Sequence, residues 1–314
     1  MQINHAKVVG CRMEQKELLN IVTDNAEYIG AYNIRVNGKL LERSTNEFVD
    51  IVSKKDKDGI DIIVKDNTVN QTILIPVILT KGEITDKVYN DFYIGKNCDV
   101  KIIAGCGVDN CSSCTSQHDG IHSFYVDQNS KVKYIERHYG HGDGSGKKVL
   151  NPITNITLGE NSTMEIATVQ IEGVDESLRI TNATLNDNSS LAINEKILTA
   201  KNQIAKSEFN VFLNGTDSKA KVSSRVVAKD DSCQYFNSNV EGNSVCFAHV
   251  ECDAIIVGNA KVSSVPKIVA NNPNASLVHE ATIGKIAGEQ FLKLLTLGLS
   301  ESEAEKEILE GFLK

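Results

Sequence analysis

The residues best equipped for chemistry are crowded near the end of the chain, in His249-Val-Glu-Cys-Asp253 and Leu277-Val-His-Glu-Ala-Thr282. They offer one thiol (Cys252), two imidazoles (His249 and His279) and three carboxylates (Glu251, Asp253 and Glu280), ligand types that hold iron and sulfide. A permanent electron carrier would more naturally use four thiolates, whereas a mixed set grips less firmly and favours release. Strand alternation qualifies this picture. It puts Cys252 on one face with Cys246, Ala248, Val250 and Ala254, and places Phe247, His249, Glu251 and Asp253 on the other. Cys252 therefore also fits the plainer role of a small buried residue. His279 and Glu280 are adjacent and point to opposite faces, so they serve one site only at a strand end or across a subunit interface.

A second set lies upstream. Cys106, Cys111 and Cys114 have four and two residues between them, the plant-type ferredoxin spacing, with His118 and His122 just beyond. Gly105, Gly107, Ser112 and Ser113 would let the loop wrap an ion, which makes a zinc- or cluster-binding sensor the alternative reading; free thiols in a loop are the bland one. Glu136-Arg-His-Tyr-Gly-His141 adds imidazoles and a carboxylate before Gly140-His-Gly-Asp-Gly-Ser-Gly-Lys-Lys148. That glycine-rich run fails as a phosphate-binding loop: His141 stands where Gly is needed and Lys148 where Ser or Thr must reach magnesium. The chain is expected to bind no nucleotide itself.

The elements that must carry these residues are constrained by composition. The 314 residues carry a net charge of −8 and no dense Lys/Arg cluster, which argues against a nucleic-acid or anionic-membrane surface. No export signal opens the sequence, and the longest apolar run, Ile73 to Leu79, is broken by Pro76, so a cytoplasmic location is expected. In that compartment the eight cysteines should be thiols or metal ligands before disulfides. With no Trp and 5% aromatics, the core must be built from Val, Ile, Leu and Ala, which suits stacked strands.

Residues 1–84 read as a mixed segment, with helical spacing at Leu18, Leu19 and Val22 and strands at 60–64 and 72–79. From about residue 90 a motif recurs in which Asn or Asp, a small residue and a variable one precede an apolar residue that opens a strand. Asn97, Asn129, Asn161 and Asn188 head the regular copies; Asp217, Asp231, Asn243, Asn259 and Asn274 head looser ones. Spacings of 32, 32, 27 and 29 residues give way to 14, 12, 16 and 15, about half, as a coil with two such turns would produce. Asn tolerates left-handed backbone and the small neighbour permits close stacking. The pattern predicts an all-β, parallel β-solenoid over 85–283. Residues 284–314 form a helical pair, the second opened by the capping box Ser300-Glu-Ser-Glu303. Its apolar residues, among them Phe291, Leu295, Ile308, Leu309 and Phe312, either cover the end of the solenoid or dock a partner.

Ser224-Arg-Val-Val-Ala228, Glu251-Cys-Asp-Ala-Ile-Ile256, Ser264-Val-Pro-Lys-Ile268 and above all Val278-His-Glu-Ala-Thr-Ile-Gly-Lys285 resemble the SufB/SufD family of iron–sulfur cluster assembly proteins. The resemblance covers at least 85–314 and continues through Gly298-Leu-Ser300 and Gly311-Phe-Leu313. It implies a right-handed parallel β-helix, pairing through the C-terminal coils, and a helical tail bound by a SufC-like ABC ATPase. It implies that Cys252 takes part in nascent cluster assembly and that Glu280, preceded by His279, stands near the dimer interface. The expected role is a non-enzymatic scaffold that takes sulfur from a donor, builds a transient iron–sulfur cluster and passes it to apo-proteins. The shortness of the chain favours a single-type member pairing with itself rather than with a SufB/SufD-type paralogue.

Overall fold

The structure is a computed structural model and describes residues 12–314. Two long sheets face each other. The first takes, in spatial order, the strands that begin at residues 39, 31, 69, 99, 131, 163, 190, 218, 246 and 276. The second runs in the order 261, 233, 204, 176, 148, 116, 85, 59 and 49, with the strand at 153 sharing the place of the one at 148. Successive strands alternate between the walls and pair in parallel with the strand two places on, giving a parallel β-solenoid of about eight turns.

The stacking is in register, so like positions form columns. Within strand Ser116–Val126 every second residue is buried, and its register partners in Thr85–Ile94 repeat the pattern. Inward columns of Val, Ile and Leu fill the space between the walls, with Phe124 stacked on Phe92 at a ring-centroid distance of 4.3 Å and meeting Tyr134 edge-on at 4.9 Å. The turn motif behaves as its chemistry requires. Asn97, Asn129, Asn161, Asn188 and Asp217 all take left-handed backbone (φ 54 to 60°). The small residues after them, Cys98, Ser130, Ser162, Ser189 and Ser218, are buried beneath the next coil. In two of the looser copies the left-handed position moves: Asp230 and Gly258 adopt it, one residue ahead of the expected Asp231 and Asn259.

The coils also continue on the N-terminal side of residue 85. Strand Ala31–Val36 pairs in parallel with Val69–Leu79, and Gly59–Val64 with Thr85–Ile94, while antiparallel hairpins close this end. Helix α1 (Gln15–Val22) buries Leu18 and Val22 on the outside of strand Asp99–Asp109. Gly105 and Gly107 permit the approach, since a Cβ at Gly105 would stand 2.2 Å from the Val22 carbonyl oxygen.

At the other end the helices leave the solenoid open. Helix α2 (Gly288–Thr296) has no buried residue. Helix α3 (Glu301–Phe312), capped by Ser300 and Glu303, packs Leu309 along the side of the coils against Val227, Leu198 and Ile255, and Glu305 pairs with Lys229 at 2.6 Å. Ile268 continues the inward column above Val240, which is 1% exposed, yet is itself 40% exposed. The expectation that the helical pair covers this end is therefore not met: its apolar residues find their partners on a flank.

Candidate functional site

Two inward-facing cysteines on the same wall define the chemistry. Cys252 lies on strand Cys246–Ile256 with Cys246, Ala248, Val250 and Ala254, all buried as the alternation requires. It is fully buried, one coil below the open end, between Ser224 and Ala281 in its column. Burial pushes its thiol up to about 11, partly offset by the neighbouring Ser264 hydroxyl and reinforced by Glu195 and Asp253. Cys252 is thus a neutral thiol in this conformation.

Around it, its own strand and the last coil gather the other residues expected there. Glu251 and Glu280 are register partners, and His249 Nε2 lies 3.3 Å from Glu280 Oε2. Asp253 is harder to ionise than an ordinary aspartate, through burial and a contact with the Glu251 carboxyl. His279 continues the inward column above Val250, and its two ring nitrogens are buried without a hydrogen-bond partner. Burial and the nearby His249 hold its protonation below the usual imidazole range. Two imidazoles and three carboxylates therefore share the last two coils at an uncovered edge. As expected, His279 faces inward while Glu280, with 65% of its side chain exposed, faces out.

The upstream cysteines do not assemble into one site. Cys106 points into the solenoid, Cys114 lies outside with its sulfur 3.3 Å from Glu83 Oε1, and Cys111 is disulfide-bonded, a departure from the all-thiol expectation. Among the described residues no group of three or more His, Cys, Asp or Glu is arranged to hold a metal. The structure brings Cys106 together with His118 instead, and with residues whose role the spacing did not reveal. His138 is the register partner of Cys106 on the next coil, and His118 Nδ1 lies 3.0 Å from Asp86 Oδ2. Arg35 grips the same carboxylate, with Nη2 2.7 Å from Oδ1 and Nε 3.1 Å from both oxygens.

Burial alone would raise the Cys106 thiol, but the His118 and His138 imidazoles override it and bring it to about 7. Against its own burial, His118 is raised to about 10 by the Cys106 thiolate and Asp86. Asp86, also opposed by burial, is pulled to about 2 by His118 and Arg35. The result is a buried thiolate–imidazolium pair oriented by a carboxylate, the arrangement of an activated sulfur nucleophile. His122, stacked 6.0 Å from Phe92, is pushed down to about 4 by burial and stays neutral.

From His138 the polar interior continues towards Cys252. Glu136 pairs with Arg179, Arg179 Nη2 is 3.2 Å from His138 Nδ1, and Arg179 Nε is 3.5 Å from Glu195 Oε1. Glu195 accepts hydrogen bonds from Ser207 at 2.7 Å and from Ser224 at 2.6 Å, and Ser224 is the register partner of Cys252. Asp86, Arg179 and Glu195 were missed by motif reading, and His138 was noted only within Glu136–His141. Their signal is period two: Glu136 and His138 share a face with Val132 and Tyr134, and Asp86 with Val88 and Phe92.

Of the apolar residues assigned to partner docking, Leu309 is buried and Phe312 packs beside it within the chain. Phe291, Leu295 and Ile308 are half-buried, and the most exposed apolar positions of this region are Leu292 and Leu297, at 60% and 70%.

The profile of the "SUF system FeS cluster assembly, SufBD core domain" matches residues 92–312, more than half of the chain. The chain belongs to the SufBD family. Curated relatives agree. An iron–sulfur cluster assembly SufBD family protein of Pyrococcus horikoshii is 29% identical over 264 residues, covering 81% of this chain and 77% of the relative. A family protein of Archaeoglobus fulgidus is 24% identical over 88% of this chain and 73% of its own length. One from Methanocaldococcus jannaschii is 27% identical, over 75% and 74%. SufBD membership ties the chain to iron–sulfur cluster assembly, and the matched span contains Cys106, Cys252 and the open last coil. No helix among the described residues is long and apolar enough to cross a membrane.

Proposed function

We propose that the chain is a non-enzymatic scaffold on which an iron–sulfur cluster is built and from which it is released. The observation that carries this reading is the open end, where His249 and Glu251 on the strand of a sealed Cys252 meet His279 and Glu280 on the last strand at a free sheet edge. Hard carboxylate and intermediate imidazole ligands suit iron, and a thiolate suits iron and sulfide. With its thiol at about 11, Cys252 cannot serve until the coil moves, because a ligand thiol must be deprotonated. An opening step is therefore built into the reading. A second copy meeting the exposed edge of strands Lys261–Ala270 and Ser276–Gly284 would complete the ligand set, and an ABC-type ATPase acting on the helical tail would drive the opening.

The sulfur side falls to Cys106. Its thiolate attacks the outer sulfur of a donor persulfide; the new bond forms at Cys106 Sγ, and the donor thiolate leaves with the electron pair of the broken S–S bond. His118, an imidazolium at neutral pH, can protonate that leaving group. The polar column from His138 through Arg179 and Glu195 to Ser224 joins this cysteine to Cys252.

Anaerobic reconstitution with iron, sulfide and reductant tests the reading. Cys252→Ala and Glu280→Ala are expected to lose most cluster absorbance and transfer to an apo-acceptor. Wild-type yields in both variants would remove the last coil from the mechanism.

A further inference from the structure

Far from Cys252, the N-terminal mouth of the solenoid contains a cavity of about 130 Å³, room for about four waters at their share of liquid volume. Its walls combine inward residues of the first coils, among them Asn33, Arg35 and Asn90, with Arg43 from the edge hairpin and Ser53, Lys54 and Lys57 from the next. Four cationic side chains line it and Asp58 is the single carboxylate among the lining residues. Two of the cations are already matched: Arg35 by Asp86, and Lys54 by Asp61 and Asp91. The other two are not. Among the described residues no carboxylate lies within 4 Å of Arg43 or Lys57.

The hydrogen bonds of Arg43 show what is missing. Nε donates to Asn33 Oδ1 at 2.8 Å, Nη2 to Ser53 Oγ at 3.0 Å and Nη1 to the Ile51 carbonyl at 3.4 Å. All three acceptors are neutral, and they use three of the five guanidinium N–H groups. Because the Ser53 oxygen and the Asn33 carbonyl oxygen are engaged by Arg43, the Ser53 O–H and the Asn33 amide N–H groups are left as donors. Burial, with no anion to offset it, disfavours the charged form of Arg43. Lys57 stands with its ammonium 4.5 Å from the Tyr89 ring centroid, a cation–π contact that leaves its charge uncompensated. The cavity is thus rich in donors and poor in acceptors, and a half-buried guanidinium without a counter-ion lines it.

We propose that this cavity is a binding site for a small tetrahedral oxyanion of the phosphate or sulfate type, held by Arg43 and Lys57 with Asn33 and Ser53 as neutral donors. Several converging donors call for a ligand with several acceptor oxygens, which a single-atom anion cannot offer. The four residues that would hold the anion take no part in the cluster-assembly reading, although Arg35 on the same wall also grips the Asp86 carboxylate beside His118.

Isothermal titration calorimetry with inorganic phosphate and with inorganic sulfate, in a chloride background of constant ionic strength, tests the site on the full chain. Saturable binding of one anion per chain is expected, and the tighter of the two identifies the preferred ion. Arg43→Gln is expected to weaken it about tenfold, equivalent to about 1.4 kcal/mol, and Lys57→Gln about threefold. Absence of saturable binding of either anion by the wild type would overturn the proposal, as would an unchanged dissociation constant in a folded Arg43→Gln protein. Should Arg43→Gln fail to melt cooperatively, Lys57→Gln decides: weakened binding supports the site and unchanged binding rejects it.

Discussion

Cys106 and Cys252 occupy equivalent places, both inward-facing near the middle of strands in the same wall, and they have opposite chemistry. Cys106 is flanked by His118 and His138, and its thiol falls to about 7; Cys252 is flanked by Ser224, Ser264 and Ala281, and its thiol rises to about 11. Burial acts in the same direction on both. The difference comes from two imidazoles, His118 on the facing wall and His138 in register on the next coil, whose charge at contact range outweighs burial at Cys106 and has no counterpart at Cys252. A solenoid can therefore shift two buried thiols on a single wall in opposite directions by changing the residues one coil away and across the interior.

The largest expected effect comes from breaking the polar column between them. Arg179 serves both Glu136 and Glu195 in the buried interior, so Arg179→Met should destabilise the fold by about 3–5 kcal/mol in chemical denaturation, through two buried carboxylates left without a cation. Adding Glu136→Gln should recover part of the loss. Full stability in the single variant would show that the column is not held by this charge.

The thiol contrast itself is open to ultraviolet titration of thiolate absorbance in the folded protein. A step near 7 should vanish in Cys106→Ser and move upward in His118→Gln, and a separate step near 11 should vanish in Cys252→Ala. The two also bear oppositely on stability. Cys106 ionises more easily folded than unfolded, so its contribution is present above the ordinary value of 9.0 and is lost as pH falls through 7. Cys252 ionises less easily folded, so its contribution is present below 9.0 and is lost as pH rises through 11. Alkaline unfolding that is as steep in Cys252→Ala as in wild type would contradict the sealed thiol.

The smallest effect belongs to the open coil, where groups are hydrated. Glu251→Gln should lower the ionisation midpoint of Asp253, followed by NMR of its side-chain carboxyl carbon, while changing stability by no more than about 0.5 kcal/mol. An unmoved midpoint would mean that the two carboxyls do not feel each other.

Much of this architecture could be read from the chain. The Asn-small-x-apolar recurrence marks turns because few residues tolerate left-handed backbone, and the turns at Asn97, Asn129, Asn161, Asn188 and Asp217 stand where the motif put them. Alternation correctly sorted Cys246 to Ala254 into inward and outward faces. The Cys106, Cys111 and Cys114 spacing misled, because linear spacing describes a loop, whereas Cys106 lies within a strand and shares the interior with His118 and His138 rather than with its sequence neighbours. The open end was equally illegible. The helical amphipathicity of the tail is local, but which surface receives Leu309 depends on Val227, Leu198 and Ile255 in three separate coils.

The sequence by itself determined that the chain would coil, where it would turn and which face each side chain would take, since these follow from backbone preference and the two-residue period of a strand. The tertiary structure alone decided which residues became column neighbours. Register joins Cys106 to His138, Ser224 to Cys252 and Glu251 to Glu280 across 28 to 32 residues of chain, and ionisation depends on contact distance rather than on separation along the chain.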